Sequence, residues 1–268
     1  MSFPFFKDFS ALRLPGVLQR IGLVFFVASI LFLNVNWKVL LGVFICILIG
    51  YWYVMTQIPI NGEAPLLDKV SNLATVIDTK VLTRAHMWKI YDPEGLLSTI
   101  PAIATSIFGM LFGKMLISQN RSNQEKLMFF IVIGIVALAA GYLFSIIFPL
   151  NKALWTSSFV LVTGGWACLI YALIYYITDV LKKTKWGTPA IIFGSNAITV
   201  FFLSGVIGRL FGMIKVNDDE SIHGFLYGHL SSIITNPKLS SLIYAIGVIV
   251  FYYLVALVLY KKKIFIKV

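Results

Sequence analysis

Long apolar runs separated by short polar intervals set the pattern of this chain. They cover residues 17–33, 37–55, 96–116, 127–148, 154–177, 190–211 and 239–260. Most come close to the ~20 residues that a helix needs to cross hydrocarbon. A transmembrane β-barrel needs segments of about ten residues that alternate in polarity, and these runs are continuous. The pattern predicts an all-α polytopic membrane helix bundle with about seven transmembrane helices, forming one transmembrane domain over residues 1–268. The longest polar interval, 58–95, predicts a loop with a turn at Asn61-Gly62. Inside it, Leu66, Leu67, Val70, Leu73, Val76, Ile77 and Leu82 recur at mixed helical spacing. That spacing predicts an amphipathic helix lying on the membrane surface. Gly109 with Gly113, and Gly208 with Gly212, have the small-xxx-small spacing of close helix packing.

Composition agrees with the pattern. The 268 residues are 59% hydrophobic and 12% charged, against roughly 25% charged in soluble domains. The net charge of +11 raises nucleic acid as a partner. The basic residues, however, lie in short clusters between apolar runs, as the positive-inside rule produces, and nucleic-acid binding is set aside. Lys38; Lys114, Arg121 and Lys126; Lys182, Lys183 and Lys185; and Lys261, Lys262, Lys263 and Lys267 all fall on one side. The raw Lys/Arg tally is tied between the sides, but short loops and chain ends carry the weight. They put the C-terminus in the cytoplasm, and residues 86–95 and the N-terminus outside, in a multi-pass protein of the cell inner membrane. Residues 1–16 have no signal-peptide pattern and read like a loop within a protein. Earlier transmembrane helices are therefore expected before them. Cys46 and Cys168 read as small core residues, with no disulfide framework or metal spacing.

Three polar entries interrupt the apolar pattern. In His86-Met87-Trp88-Lys89-Ile90-Tyr91-Asp92-Pro93-Glu94-Gly95, a histidine, a lysine and two acids precede a long apolar run. Asp92 suits a helix cap, Pro93 the first helical position and Glu94 the positive end of the helix dipole. The same stretch also reads as a polar site at the mouth of the bundle. Arg13-Leu14-Pro15-Gly16-Val17-Leu18-Gln19-Arg20 carries arginines at a membrane boundary. They either snorkel to phosphates or hold a carboxylate. Asn151, Trp155, Thr156, Ser157 and Ser158 crowd the start of another run. Asn196 falls inside the apolar run that opens with Gly187-Thr188-Pro189, where a buried amide needs a partner. His223 and His229, beside Asp218, Asp219 and Glu220, match no metal signature, so no metal is expected.

Taken in order, these blocks resemble the heparan-α-glucosaminide N-acetyltransferase family and its bacterial relatives. The blocks are 13–20, 91–102, 151–159, and Trp186-Gly187-Thr188-Pro189 with Gly194 and Asn196. The resemblance implies a membrane acyltransferase that passes acetyl groups from cytosolic acetyl-CoA to an amino sugar or glycan across the membrane. It also implies a catalytic histidine in helices preceding Arg13, which nothing in this chain matches. On that basis the chain is expected to be the C-terminal part of a larger enzyme, or to take its partner helices from another chain.

His86, Asp92 and Glu94 are then expected to assist catalysis. Arg13, Gln19, Arg20, Asn151, Trp155, Ser157, Ser158 and Asn196 are expected on the acceptor side, and Lys182, Lys183 and Lys185 at the acetyl-CoA phosphates. Membrane lipid and a glycan acceptor are the expected partners, and a homodimer is admitted. The alternative is a non-catalytic membrane scaffold or a transporter of sugars or lipid-linked sugars.

Overall fold

The computed structural model describes residues 12–60, 62–216 and 220–266. Asn61, Asp218, Asp219 and Lys267, singled out above, lie outside them. The chain, read from sequence as one transmembrane domain, divides into two compact units, 1–182 and 183–268. The described residues form helices joined by turns, with isolated bridges such as Ile60 to Glu63 and no extended sheet.

In the first unit, α1 (Val17–Asn34), α2 (Trp37–Gln57), α4 (Leu96–Leu116), α5 (Asn123–Phe144) and α6 (Ser157–Tyr175) are long and apolar enough to span a membrane. Their starts have local causes. Asn36 caps α2 by accepting from Lys38 and Val39 amides. Ser122 and Glu125 close a reciprocal capping box on α5. Alternation of up and down helices puts residues 12–16, 58–95 and 145–156 at one end of this unit. The turns at 35–36 and 117–122 lie at the other.

The loop helix, α3, covers Leu73–Leu82, shorter than the 66–82 pattern suggests. It does not lie free on a surface: Leu73, Ala74 and Asp78 are buried, and the helix packs on α4. Leu66 to Asn72 is non-helical because Asp68 turns the chain, accepting from the Val70 and Ser71 amides at 2.6 and 2.8 Å. Glycines do make a close helix contact, but between α5 and α6. A Cβ on Gly134 would lie 2.7 Å from Leu169, and one on Gly165 would lie 2.8 Å from Leu138. Gly109, Gly113, Gly208 and Gly212 have no such neighbour within 4 Å. Their spacing is right, but they face away from a partner helix. Cys168 is buried, whereas Cys46 is exposed on its helix.

The second unit holds α7 (Thr188–Ser195), α8 (Ala197–Met213), α9 (Ile222–Ile233) and α10 (Pro237–Lys261). The run at 190–211, which reads as one span, is broken: α7 and α8 meet at 63°. Asn196 is the break (φ −135°, ψ 35°). It is not a mid-helix amide facing a cavity. It donates to the Ile264 carbonyl at 3.0 Å and accepts from the Ile266 amide at 3.0 Å, clipping the C-terminal tail as a strand would. His223 ties α9 to its neighbours through the Gly208 carbonyl (3.1 Å) and the Tyr244 hydroxyl (2.5 Å).

Candidate functional site

The polar end of the first unit gathers its charged groups around the start of α4. Asp92 does not cap that helix. Residues 92–95 form a turn, closed by the Gly95 amide on the Asp92 carbonyl (3.1 Å), and α4 begins only at Leu96. The Asp92 carboxylate instead accepts from the Glu94 and Trp88 amides (3.0 and 2.9 Å). Arg13 completes it with a two-pronged contact, Nε to Oδ2 at 2.8 Å and Nη2 to Oδ1 at 2.6 Å. The same Nη2 reaches Glu94 Oε2 at 2.5 Å. Burial opposes ionisation of Asp92, but Arg13 and the two amides outweigh it and hold the carboxyl below its usual range. Its side chain is 0% exposed, against 30% for Arg13 and 19% for Glu94. One carboxylate is thus structural and sealed, and the other is partly exposed.

The cap of α4 comes from Asp78, eighteen residues upstream. Its Oδ1 accepts from the Leu96 amide at 2.8 Å. Burial, helped by the Asp92 charge, outweighs this bond and nearby Arg20, and pushes the Asp78 carboxyl up to about 6. The contact explains Gly95: a Cβ there would lie 1.7 Å from Asp78 Oδ2.

Arg20 works on the other side of the same peptide unit. Its Nη2 donates to the Gly95 carbonyl at 3.3 Å and to Ser98 Oγ. Ser98 and Thr99 donate to that carbonyl too, at 3.2 and 2.7 Å. In a trans peptide the C=O and N–H point in opposite directions. The Arg20 cation and the Asp78 carboxyl therefore bracket one peptide dipole in its favourable sense. Arg20 is only 7% exposed, its Nε is buried without a hydrogen-bond partner, and no carboxylate lies within ion-pair distance of it among the described residues. Its guanidinium stacks over the Trp155 ring at 5.2 Å. Trp155 is held in a left-handed conformation (φ 54°), with Nε1 donating to Thr105 at 3.0 Å. A bulky residue in that region stores strain, which clusters at functional sites.

His86 sits in a short turn after Thr83 and belongs to the same end. Its Nδ1 contacts the Leu12 carbonyl at 2.7 Å, and its own carbonyl accepts from the Leu14 amide at 3.0 Å. A carbonyl only accepts, so Nδ1 carries the hydrogen and Nε2 is the basic nitrogen of the neutral ring.

Other expected residues are placed differently. Ser157 donates to the Leu48 carbonyl (2.7 Å) and Ser158 to the Phe148 carbonyl (2.6 Å). Both are fully buried, so their hydroxyl hydrogens are spent on backbone carbonyls, one inside α2 and one just past α5, and are not offered to a substrate. Asn151 is a loop tie, donating to the Leu67 carbonyl (3.3 Å) and accepting from the Ala153 amide (3.0 Å). Gln19 is exposed on α1, one residue away from the inward face that carries Arg20. Lys182, Lys183 and Lys185 are exposed in the short segment that joins the units. Asp78 was hidden from sequence reading by its apolar neighbours. The signal was a single acid four residues after Ala74 on the apolar face of a short helix. Among the described residues, no group of three or more His, Cys, Asp or Glu side chains is placed to hold a metal ion.

These features define a multi-pass helical membrane protein with an arginine–carboxylate cluster at one end of its first helix unit. No protein-family model matches the chain. It is 27% identical to heparan-α-glucosaminide N-acetyltransferase of Homo sapiens and 26% identical to that of Mus musculus. In each comparison 96% of this chain aligns with 44% of the relative. The chain is thus similar in sequence to the heparan-α-glucosaminide N-acetyltransferases, and it spans less than half the length of these curated relatives.

Proposed function

We propose that this chain carries the acceptor side of a membrane-embedded acyltransferase, which moves an acetyl group from cytosolic acetyl-CoA to an amino sugar or glycan on the far face of the inner membrane. The observation that carries this reading is the convergence of Arg13, Arg20, Asp78, Asp92 and Glu94 on one helix start, with His86 held against the Leu12–Leu14 backbone at the same end, in a chain similar to N-acetyltransferases along nearly its whole length. In the reaction, the acceptor amine attacks the thioester carbonyl, a C–N bond forms, the C–S bond breaks and the amine loses a proton. His86 Nε2 is the assisting base, oriented through Nδ1 by the Leu12 carbonyl. Glu94, partly exposed on the Arg13 pair, draws in the acceptor ammonium. Arg20 and Trp155 form the polar floor beside it. Lys182, Lys183 and Lys185 meet the phosphates of acetyl-CoA from the cytoplasmic side, where the C-terminus also lies. The principal histidine that the family resemblance implies is sought in the remainder of the longer enzyme.

The test uses the full-length protein in liposomes, with labelled acetyl-CoA on the cytoplasmic side and a glucosamine-terminated acceptor on the other. His86→Ala should lower acetyl transfer by about 100-fold, the lower range for a general base. Glu94→Gln should raise KM for the acceptor more than it lowers kcat. Unchanged transfer in both variants would refute these roles. Movement of the sugar without consumption of acetyl-CoA would favour the transporter reading.

A further inference from the structure

The opposite end of the first unit carries a different feature. A groove of about 580 Å³ opens between α2, α4 and α5. Its walls are the rings of Trp37, Phe44, Phe108 and Phe112 with the Leu111 side chain, and Lys114 and Arg121 stand at its mouth. From Trp37 to Phe44 it follows two turns of α2, about 10 Å at 1.5 Å per residue. Trp37, at the helix start, lies where aromatic residues anchor at the headgroup level. The groove therefore runs from headgroup depth into acyl-chain depth.

Both cations are available to a ligand. Lys114 is in the last turn of α4 and is exposed. Arg121 meets Glu125 through one nitrogen at 3.1 Å, in a pair whose side chains are 55% and 50% exposed. Such pairs contribute little and yield readily to a stronger partner. The second oxygen of Glu125 is occupied by the Ser122 amide at 2.8 Å, so the acid stays on its cap while the remaining guanidinium donors face outward. An apolar slot with a two-cation rim matches a molecule with a hydrocarbon chain and an anionic head. Basic pockets between transmembrane helices bind anionic lipid headgroups by this combination.

We propose that this groove is a binding site for an anionic phospholipid, its phosphate held by Lys114 and Arg121 and one acyl chain lying along the aromatic wall. The site is separate from the cluster around α4's start and does not depend on the acyltransferase reading.

The test is native mass spectrometry of the protein with equal amounts of phosphatidylglycerol and phosphatidylcholine. The expected result is one phosphatidylglycerol retained per chain under conditions that strip phosphatidylcholine. The pair Lys114→Gln with Arg121→Gln should reduce that retention at least fivefold, and Lys261→Gln should not change it. Leu111→Trp, which fills the groove and leaves both cations, should reduce it as well. If that variant fails to fold, the glutamine pair decides alone, because both its positions are exposed. Equal retention of the two lipids, or full retention in the glutamine pair, would overturn the proposal. Displacement of the lipid by free CoA, abolished in the glutamine pair, would also overturn it and assign the groove to the acyl donor.

Discussion

At one end of the first unit, Arg13 grips two carboxylates, and Arg20 and Asp78 bracket a single buried peptide. At the other, Arg121, in the turn before α5, meets one carboxylate in the first turn of that helix, in the open, and Lys114 stands at the rim of an apolar groove. Similar residue types therefore do different work. Where the chain supplies a long loop, charges fold back on one another and lose water, so each depends on its partner. Where the connection is a tight turn, nothing covers the cations, and they remain available to a ligand. The contrast predicts strong coupling at the first end and near-independence at the second.

The largest effect should follow Arg13→Ala, which leaves the sealed Asp92 carboxylate without its cation. Breaking a buried pair costs about 3–5 kcal/mol. Because Arg13 is 30% exposed, the lower end, about 3 kcal/mol, is expected, and thermal unfolding in detergent should show a clear drop. Adding Asp92→Asn should recover part of that loss. A second change with no recovery would show that the pair is not the source of the stability.

Gly95→Ala should cost about 2–3 kcal/mol, within the range for forcing extra volume into a packed site. Its cause is the Asp78 carboxylate, so Asp78→Ala in the same chain should make the two effects non-additive by more than 0.5 kcal/mol, approximately the threshold for coupled neighbours. Simple additivity would break the proposed contact.

Asp78→Asn tests the buried carboxyl through pH. A carboxyl at about 6 in the folded state, against roughly 3.9 when unfolded, binds more protons folded than unfolded between those values. Its contribution to stability therefore falls as pH rises from about 4 to 6 and is flat above, with a total on the order of 3 kcal/mol. Asp92, held low, works in the opposite sense: its stabilisation is present above about 4 and is lost as pH falls further. The stability of wild type relative to Asp78→Asn should decline across pH 4–6. A constant difference would show that Asp78 does not titrate there.

The smallest effect belongs to the other end. Arg121→Ala should change stability by no more than about 0.5 kcal/mol, as exposed pairs do. A loss comparable to that of Arg13→Ala would erase the contrast between the two ends.

Much of the architecture was legible without coordinates, because crossing hydrocarbon demands long apolar helices and leaves few alternatives. The span at 96–116 matches α4 end to end, and most others agree within a few residues. Arg13, Arg20, Asp92 and Glu94 were legible as a group because charges beside apolar runs are rare in this chain. Which carboxylate meets which partner was not. Asp92 has every local credential of a helix cap, yet Arg13, 79 positions away, claims it, and Asp78 takes the helix start from a neighbouring element. Asn196 similarly had the context of a buried helix amide but serves a tail nearly 70 residues later. Hydrophobic periodicity is a local property and can be read along the chain. Pairing of buried polar groups is settled by whichever partner reaches the site first in space, and that distance exists only in the folded molecule.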